Sequence, residues 1–131
     1  RLGLHCIKTQ ARDAQIYDNS LGVFDRILCD VVCSGYGVIR RKPEIRYKAP
    51  ADVAALPETQ LAILTASSRS LSCGGRLVYS TCTLNPAENE GVVERFLRGN
   101  TDYALCGEPV TCLPEQNGGD GFFYAVVERR L

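Results

Sequence analysis

The chain has 131 residues, 45% of them hydrophobic and 23% charged, which is typical of an ordinary globular protein with one small domain. Fifteen basic residues balance fifteen acidic ones, so bulk charge does not indicate a nucleic-acid partner. No apolar run approaches the roughly 20 residues that cross a bilayer, so no transmembrane helix is predicted. The sequence contains no Met, even at position 1, and we therefore expect a piece of a longer protein.

The seven cysteines are irregularly spaced and odd in number, which argues against a closed disulfide framework. No Cys-x-x-Cys pair occurs and His5 is the single histidine, so we predict no metal site. The pattern is typical of the reducing cytoplasm, where most thiols serve as small buried hydrophobic groups.

The first half of the chain predicts two strands and one helix. Residues 5–10 alternate weakly between apolar and polar side chains and predict a short strand, which a polar loop follows. Residues 24–30 (FDRILCD) have the apolar centre of a buried strand. Apolar residues at helical spacing predict a helix from Glu58 to Leu71, and the pair Gly74-Gly75 is expected to end it.

The second half predicts three more strands and one helix. Residues 76–82 (RLVYSTC) are rich in residues that favour strands, and Asn85-Pro86 is expected to open a helix that runs to about Arg98. Residues 103–106 and 122–127 predict two short strands on either side of a loop. The alternation predicts an α/β sheet with helical crossovers, whose last two strands pair antiparallel at one edge.

Two cysteines lie at the ends of predicted strands. Asp30 ends the strand at 24–30 and Cys33 follows it, while Cys82 ends the strand at 76–82. Because ligands bind outside the carboxyl ends of strands in an open parallel sheet, neighbouring strands would bring both thiols and the carboxyl group into one mouth. A thiolate is a strong nucleophile, and a carboxylic acid can exchange a proton beside it. Packing at two strand ends explains these cysteines equally well, and packing accounts for the other five: Cys6, Cys29, Cys73, Cys106 and Cys112.

A basic strip lies between Ile39 and Lys48, with Tyr36 and Tyr47 alongside. Its cationic residues are Arg40, Arg41, Lys42, Arg46 and Lys48. The run Arg40-Arg41-Lys42 is the best candidate for contact with RNA phosphates, and a solvated surface loop is an equally good interpretation.

Three segments of the chain read as motifs in a fixed order: residues 24–48 (FDRILCDVVCSGYGVIRRKPEIRYK), residues 74–97 (GGRLVYSTCTLNPAENEGVVERFL) and residues 119–124 (GDGFFY). With a start at Arg1-Leu2-Gly3-Leu4, they span nearly the whole chain and closely resemble the Sun family (also called Fmu) of RNA cytosine-5 methyltransferases. The basic run after Cys33 looks most like the bacterial members that act on small-subunit ribosomal RNA.

The resemblance implies a Rossmann-like class I methyltransferase sheet that is truncated at its N-terminus and carries an antiparallel last strand at the edge. Residues 1–131 are then the C-terminal portion of a catalytic domain. The implied cofactor is S-adenosylmethionine, the implied partner is RNA, most similar to small-subunit ribosomal RNA, and the implied location is the cytoplasm. No membrane or metal partner is expected, and the isolated chain is expected to be inactive.

The resemblance also implies roles for single residues. Cys82 would attack carbon 6 of the target cytosine, Cys33 would assist breakdown of the adduct, and Asp30 would hold and polarise the cytosine edge beside the cofactor. A carboxyl in that position must be protonated, or share a proton with the base, to stabilise the adduct. Asp13 stands where the family places an aspartate near the adenine of the cofactor, and an ordinary loop residue is the alternative.

Several features depart from the family pattern or have a simpler explanation. Val31-Val32 replaces the usual Ala-Pro of the first motif, which frees a backbone dihedral just before Cys33. The glycine-rich loop for the cofactor is missing, so tight cofactor binding is not expected, and the strand at 5–10 is expected to lack a neighbour. Helix capping explains Glu88, Asn89 and Glu90, and a turn explains Asp120. A non-catalytic RNA-binding or interaction module is therefore the alternative function.

Overall fold

The computed structural model describes residues 3–130, apart from the side chain of Asn117. Arg1 and Leu2, which open the family resemblance, lie outside the described residues. The strands are β1 (Phe24–Asp30), β2 (Leu71–Thr81), β3 (Tyr103–Leu105), β4 (Val110–Cys112) and β5 (Phe122–Arg129). The helices are α1 (Pro50–Ala54), α2 (Leu56–Ser68), α3 (Glu90–Gly99) and α4 (Pro114–Asn117), and short 3-10 helices cover Asn19–Leu21, Tyr36–Val38 and Pro43–Tyr47.

The five strands form one open sheet in the order β1-β2-β5-β3, with β4 paired to the other half of β5. Strands β1 and β2 are parallel and are joined through α1 and α2, whereas β5 runs antiparallel to β2, β3 and β4. The predicted α/β fold class is confirmed, and so is the antiparallel pair at one edge. The outermost strand of that pair is β3, and β5 lies one strand inward.

The hydrophobic core lies on one face of the sheet, beneath α2 and α3. Alternate residues of β5 are buried, namely Phe123, Ala125 and Val127, as expected for a sheet that is covered on one face. Phe96 of α3 and Tyr79 of β2 are fully buried in the same cluster. Each large side chain of this kind contributes about 1.5–3 kcal/mol when it leaves water.

The prediction of a buried strand at 24–30 is right about the strand and wrong about its burial. Only Cys29 of β1 is buried, because β1 pairs with β2 alone and has one covered face. Leu28 is 72% exposed and Phe24 is 44% exposed, with Val23 and Val32 exposed beside the strand. We call Val23, Phe24, Leu28 and Val32 the apolar margin of β1.

The prediction of a strand at residues 5–10 is wrong. These residues have no regular structure and are exposed, in agreement with the expectation that a strand here would lack a neighbour. The expectation that most thiols are buried is also wrong, because Cys29 alone of the seven is buried.

The glycine pair does not end the first long helix. Helix α2 ends at Ser68, and Gly74 and Gly75 lie inside β2, where the register with β1 shifts opposite residues 24–26. Gly74 has a φ of +72°, a conformation that favours glycine, so the pair makes an irregularity within a strand.

Helix α3 begins at Glu90, four residues after Pro86, and not at the predicted proline. Residues 86–89 form a turn instead, because Glu88 and Asn89 turn their side chains inward to buried partners. The predicted loop at 107–121 also contains β4 and α4. Within residues 3–130, none of the helices has the length and apolar character needed to cross a membrane.

Candidate active site

Cys33 and Cys82 meet at the carboxyl ends of β1 and β2. In the parallel register Asp30 stands opposite Ser80, and the N–H of Val31 donates to the carbonyl of Ser80 over 3.1 Å. Both strands therefore end at the same level, and the loops that follow them carry one cysteine each. The two Sγ atoms are 3.1 Å apart. The expectation that neighbouring strands bring both thiols into one mouth is confirmed.

The thiol of Cys33 is held in its protonated form. Burial, followed by the contact with the adjacent Cys82 thiol, raises the pKa of Cys33 well above that of an ordinary cysteine. Cys33 can then act as the S–H donor in the contact between the two sulfur atoms. Both thiols are half-buried, so a ligand can still reach them.

Asp30 lies at the same end of the sheet, with its carboxyl group exposed. The hydroxyl of Ser80 donates to Asp30 Oδ1 over 3.0 Å. This bond joins the two strand ends through side chains and gives the carboxyl group a defined direction, while its second oxygen can accept from a ligand.

A buried carboxylate ties the Cys33 loop to helix α2. Glu88 is fully buried, and its Oε2 accepts from the backbone N–H of Ser34 over 2.8 Å and from the side-chain amide of Gln60 over 2.9 Å. The same Gln60 amide donates to the carbonyl of Val32 over 2.9 Å, and Asn85 donates to Glu88 Oε1 over 2.9 Å. The polar groups on both sides of Cys33 are therefore satisfied by one buried pair.

A second buried network holds the Cys82 loop. Asn89 accepts from the hydroxyl of Thr81 over 2.6 Å and donates to the carbonyl of Thr83 over 3.0 Å, which brackets Cys82. The hydroxyls of Thr83 and Ser34 lie 2.7 Å apart and join the two loops. Asn89 occupies the N-cap position of α3, but its side chain makes no capping bond.

The capping explanation of Glu88 and Asn89 is therefore wrong. Both residues are buried and contact the cysteine loops, which sequence reasoning missed. The sequence shows only that these polar residues lie directly before an amphipathic helix. That position is as typical of residues that cap a helix as of residues in a buried hydrogen-bond network. Their partners are distant in sequence, so spacing alone could not identify them.

A third loop closes the site from the side of β5. The N–H of Gly37 donates to the carbonyl of Cys82 over 3.0 Å, and the N–H of Gly121 donates to the carbonyl of Gly37 over 2.8 Å. A Cβ atom at Gly37 would overlap the carbonyl of Gly121 and lie 2.8 Å from the carbonyl of Cys82. Only glycine allows this approach of the two backbones.

The candidate RNA-contacting residues lie beside this loop. Arg41 Nε is 2.8 Å from Asp120 Oδ2, and Arg40 pairs with Asp120 at 3.8 Å and donates to the carbonyl of Gly118 over 3.3 Å. Both arginine side chains remain more than 60% exposed, and Lys42 is exposed. Asp120 thus orients Arg40 and Arg41, two members of the run Arg40-Arg41-Lys42. It therefore does more than form the turn before the last strand. From the same strip, Lys48 donates to the carbonyl of Ser34 over 2.8 Å.

Asp13 lies in the exposed segment before β1. Its carboxylate accepts from the backbone N–H of Gln15 over 2.9 Å, which is the bonding of an ordinary turn residue. The structure brings Asp30, Cys33 and Cys82 together and does not join Asp13 to them by any hydrogen bond among the described residues.

Residues 3–130 hold no group of three or more potential metal ligands. For a nucleoside cofactor, the carboxylates of Asp30 and Asp13 are exposed acceptors for hydroxyl and amine groups. Asp30 fits one wall of such a site, whereas Asp13 lies in a separate segment, whose Tyr17 packs beneath the guanidinium group of Arg69.

A family model described as 16S rRNA methyltransferase RsmB/F matches residues 1–128. This chain belongs to that family. The resemblance to the Sun family is thereby confirmed.

Curated relatives agree with the assignment. The chain is 46% identical over 108 residues to the ribosomal RNA small subunit methyltransferase B of Proteus mirabilis, covering 82% of the chain and 25% of the relative. It is 37% identical over 155 residues to the probable ribosomal RNA small subunit methyltransferase B of Bacillus subtilis, covering 99% of the chain and 33% of the relative. The chain therefore spans between a quarter and a third of these relatives.

Solved structures share the fold. One described as PH0851 superposes with a TM-score of 0.92 at 26% identity, over 97% of this chain and 32% of the other. NSun6 from Pyrococcus horikoshii, solved with SFG, superposes with a TM-score of 0.80 at 29% identity, over 98% of this chain and 36% of the other.

Proposed function

We propose that this chain is the catalytic-cysteine portion of an S-adenosylmethionine-dependent RNA cytosine-5 methyltransferase that acts on small-subunit ribosomal RNA. The observation that carries the proposal is the 3.1 Å contact between Cys33 and Cys82 at the common end of two parallel strands. The small-subunit substrate is supported by the names of the curated relatives.

Cys82 is the nucleophile in this proposal. Its sulfur forms a bond to carbon 6 of cytosine, and the ring electrons that this addition displaces make carbon 5 nucleophilic. S-adenosylmethionine, when bound, supplies the methyl group that carbon 5 takes. Water takes the proton from carbon 5, the electron pair returns to the ring and the bond between carbon 6 and sulfur breaks, so that Cys82 leaves as a thiolate.

Cys33 assists that last step. Its raised pKa keeps it a thiol at neutral pH, and its sulfur lies 3.1 Å from that of Cys82. An S–H donor at this distance stabilises the thiolate that forms when the adduct breaks. The resemblance and the geometry support the same division of roles between the two cysteines.

Asp30 and the basic strip complete the proposed substrate site. Asp30 polarises the cytosine edge through the carboxyl oxygen that Ser80 leaves free. The exposed guanidinium groups of Arg40 and Arg41, oriented by Asp120, bind RNA phosphates together with Lys42. Asp30 also faces the cofactor, and Asp13 is the proposed partner of its adenine. A relative solved with SFG, an analogue of S-adenosylmethionine, supports the cofactor.

The test uses the full-length protein, the cofactor and small-subunit ribosomal RNA that contains 5-fluorocytosine, because fluorine at carbon 5 cannot leave as a proton and so traps the adduct. We expect a denaturant-resistant protein–RNA adduct that Cys82→Ala abolishes. The control is Cys73→Ala, which removes an exposed thiol on β2 and should leave the adduct unchanged. An adduct that survives Cys82→Ala would move the nucleophile to Cys33.

The alternative function is a non-catalytic RNA-binding module, which the altered pair Val31-Val32 favours. The same experiment separates the two proposals. If the wild-type protein binds the substituted RNA as tightly as it binds unsubstituted RNA but forms no adduct with it, the result would support the binding module. Loss of RNA binding in Arg41→Ala would show only that the basic strip is used, which both functions require.

A further inference from the structure

We propose that Glu88 and Gln60 form a positioning pair that directs the thiol of Cys33 towards Cys82 and thereby sets the rate at which the covalent adduct breaks down. The inference rests on the proposed function, because it assigns a consequence to the role of Cys33 in release. It concerns residues that contact neither thiol directly and act through the backbone of the Cys33 loop.

The contacts of the pair are concentrated on the two residues that flank Cys33. Gln60 Nε2 donates to the carbonyl of Val32, and Glu88 Oε2 accepts from the N–H of Ser34. The two side chains also bond to each other over 2.9 Å. One buried bridge therefore holds the peptide group before Cys33 and the one after it, at positions where Val31-Val32 supplies no proline to restrain the backbone.

The chemistry of Glu88 suits this task better than an apolar side chain would. An ionised carboxylate is an acceptor only and can take hydrogen bonds at both oxygens. Glu88 receives donors from Ser34, Gln60 and Asn85. Burial of a charge is costly unless it is well paired. The three donors offset that cost here, and the orientation of the Cys33 loop is the result.

The Cys82 loop has separate support, so the effect on Cys33 should be selective. Asn89 brackets Cys82 by its bonds to Thr81 and Thr83. The N–H of Gly37 holds the carbonyl of Cys82. Loss of the Glu88 carboxylate removes one bond from this loop, to the side chain of Asn85, but leaves the bonds on either side of Cys82 in place, so attack by Cys82 should continue while Cys33 is misdirected.

The test compares Glu88→Gln with Cys33→Ala and with Glu94→Gln in the full-length protein. The glutamine keeps the size of the side chain, but it has one acceptor oxygen in place of two. It therefore cannot accept from Ser34, Gln60 and Asn85 together, and at least one of these hydrogen bonds is lost. Glu94 is an exposed carboxylate on α3 and serves as the matched control. The RNA carries ordinary cytosine, and the readouts are the level of denaturant-resistant adduct, the rate of adduct formation and the rate of methylated product release.

We expect Glu88→Gln to raise the steady-state adduct about tenfold or more and to slow product release by a similar factor, as in Cys33→Ala. Adduct formation should stay within about threefold of wild type, and Glu94→Gln should resemble wild type. Gln60→Met, which removes the donor at nearly constant volume, should act in the same direction with a smaller effect. Equal losses of adduct formation and release, with a lower melting temperature, would show a merely structural role and overturn the proposal.

A second measurement tests the positioning without any RNA. Diamide, an azo compound, accepts two electrons and two protons from a pair of thiols and leaves a disulfide. With the sulfurs 3.1 Å apart, the wild-type protein should form the bond between Cys33 and Cys82 rapidly, and Glu88→Gln should form it at least about fivefold more slowly. An unchanged rate refutes the positioning role. If Cys33→Ala fails to accumulate adduct while the disulfide still slows in Glu88→Gln, the release role of Cys33 is wrong and the positioning stands.

Discussion

The two ends of β1 are built in opposite ways, although they belong to one seven-residue strand. At the carboxyl end, the loops that carry Cys33 and Cys82 are held by buried hydrogen bonds to Glu88 and Asn89. Along the rest of the strand, the apolar margin exposes side chains such as Leu28, which is 72% exposed. The first region satisfies most of its polar groups internally, with Gln60 Oε1 left without a partner, and the second leaves apolar groups in water.

The difference separates a region that finds its hydrogen-bond partners among the described residues from a region whose apolar side chains find no cover there. The loops that carry the two thiols are held by hydrogen bonds with Glu88 and Asn89, which lie within the described residues. The apolar margin has no covering element among the described residues. Substitutions should therefore be costly at the first region and tolerated at the second.

Gly37→Ala should have the largest effect at the cysteine end. The new methyl group would overlap the carbonyl of Gly121 and press on the carbonyl of Cys82, which moves the nucleophile loop. We expect methyl transfer by the full-length protein to fall about 100-fold or more, because displacements near 1 Å have that effect on catalysis. The control is Gly99→Ala, where no atom lies within 4 Å of the added Cβ. Comparable activity of the two variants would contradict the close approach of Gly37 to the carbonyl groups of Gly121 and Cys82.

The reactivity of Cys33 should show the effect of burial on its charge. Burial raises the pKa of Cys33, so the thiolate population stays low at neutral pH and rises only under strongly alkaline conditions. We expect iodoacetamide to modify Cys33 at least about tenfold more slowly at pH 8 in the native protein than in urea, where the pKa returns to that of an ordinary thiol.

Mass spectrometry of the Cys33 peptide measures both rates of modification. A series from pH 7 to 11 shows whether the pKa of Cys33 is raised or lowered in the native protein. The native rate should still be climbing at the top of this series, whereas the rate in urea should level off above about pH 9. A native profile that levels off near neutral pH would mean that burial does not raise the pKa of Cys33.

Tyr79→Phe should weaken the cysteine end without touching a thiol. The fully buried hydroxyl donates to the carbonyl of Glu88 over 2.6 Å, and burial raises the pKa of Tyr79, which keeps it a donor. Its loss leaves a buried acceptor unsatisfied, so the free energy of unfolding should fall by about 1–2 kcal/mol. Urea titration measures this loss, with Tyr47→Phe as the control because Tyr47 is 82% exposed. Equal free energies of unfolding for the two variants would show that the hydrogen bond from Tyr79 to Glu88 does not stabilise the protein.

Leu28→Lys should have the smallest effect and tests the apolar margin. Because the side chain is already exposed, the free energy of unfolding of the 131-residue chain should change by less than about 0.5 kcal/mol. The same substitution in the full-length protein should cost more if another element covers the margin there. A large loss in the short chain would mean that the margin is buried and that the comparison with the cysteine end fails.

Local patterns in the sequence predict β1, the second half of β2 and the placement of Cys33 and Cys82 well. The apolar centre of residues 24–30 and the β-rich run at 76–82 correspond to β1 and the second half of β2. The proximity of the two thiols follows once these strands are parallel neighbours. The catalytic roles of Cys33, Cys82 and Asp30 stay predictions.

Features that depend on distant partners could not be predicted in this way. The exposure of β1 depends on how many strands flank it, and the strand at 5–10 is absent although its alternation favours one. Glycine is a common helix terminator, but Gly74 and Gly75 serve an irregular strand pairing. Glu88 resembles a surface charge at a helix start until its partners at Ser34 and Gln60 are known.

The inner position of β5 has a consequence for the order in which the chain folds. Strand β5, which follows the other four strands in the chain, supplies the backbone partners of β2, β3 and β4, so those three strands share no partner until β5 is synthesised. The pairing of β2 with β5 joins residues about as far apart in the chain as the pairing of β1 with β2, and contacts of such long separation form slowly. The parallel pair of β1 and β2 can therefore form before β5 is synthesised, whereas β3 and β4 have no strand to pair with among the described residues until β5 is available.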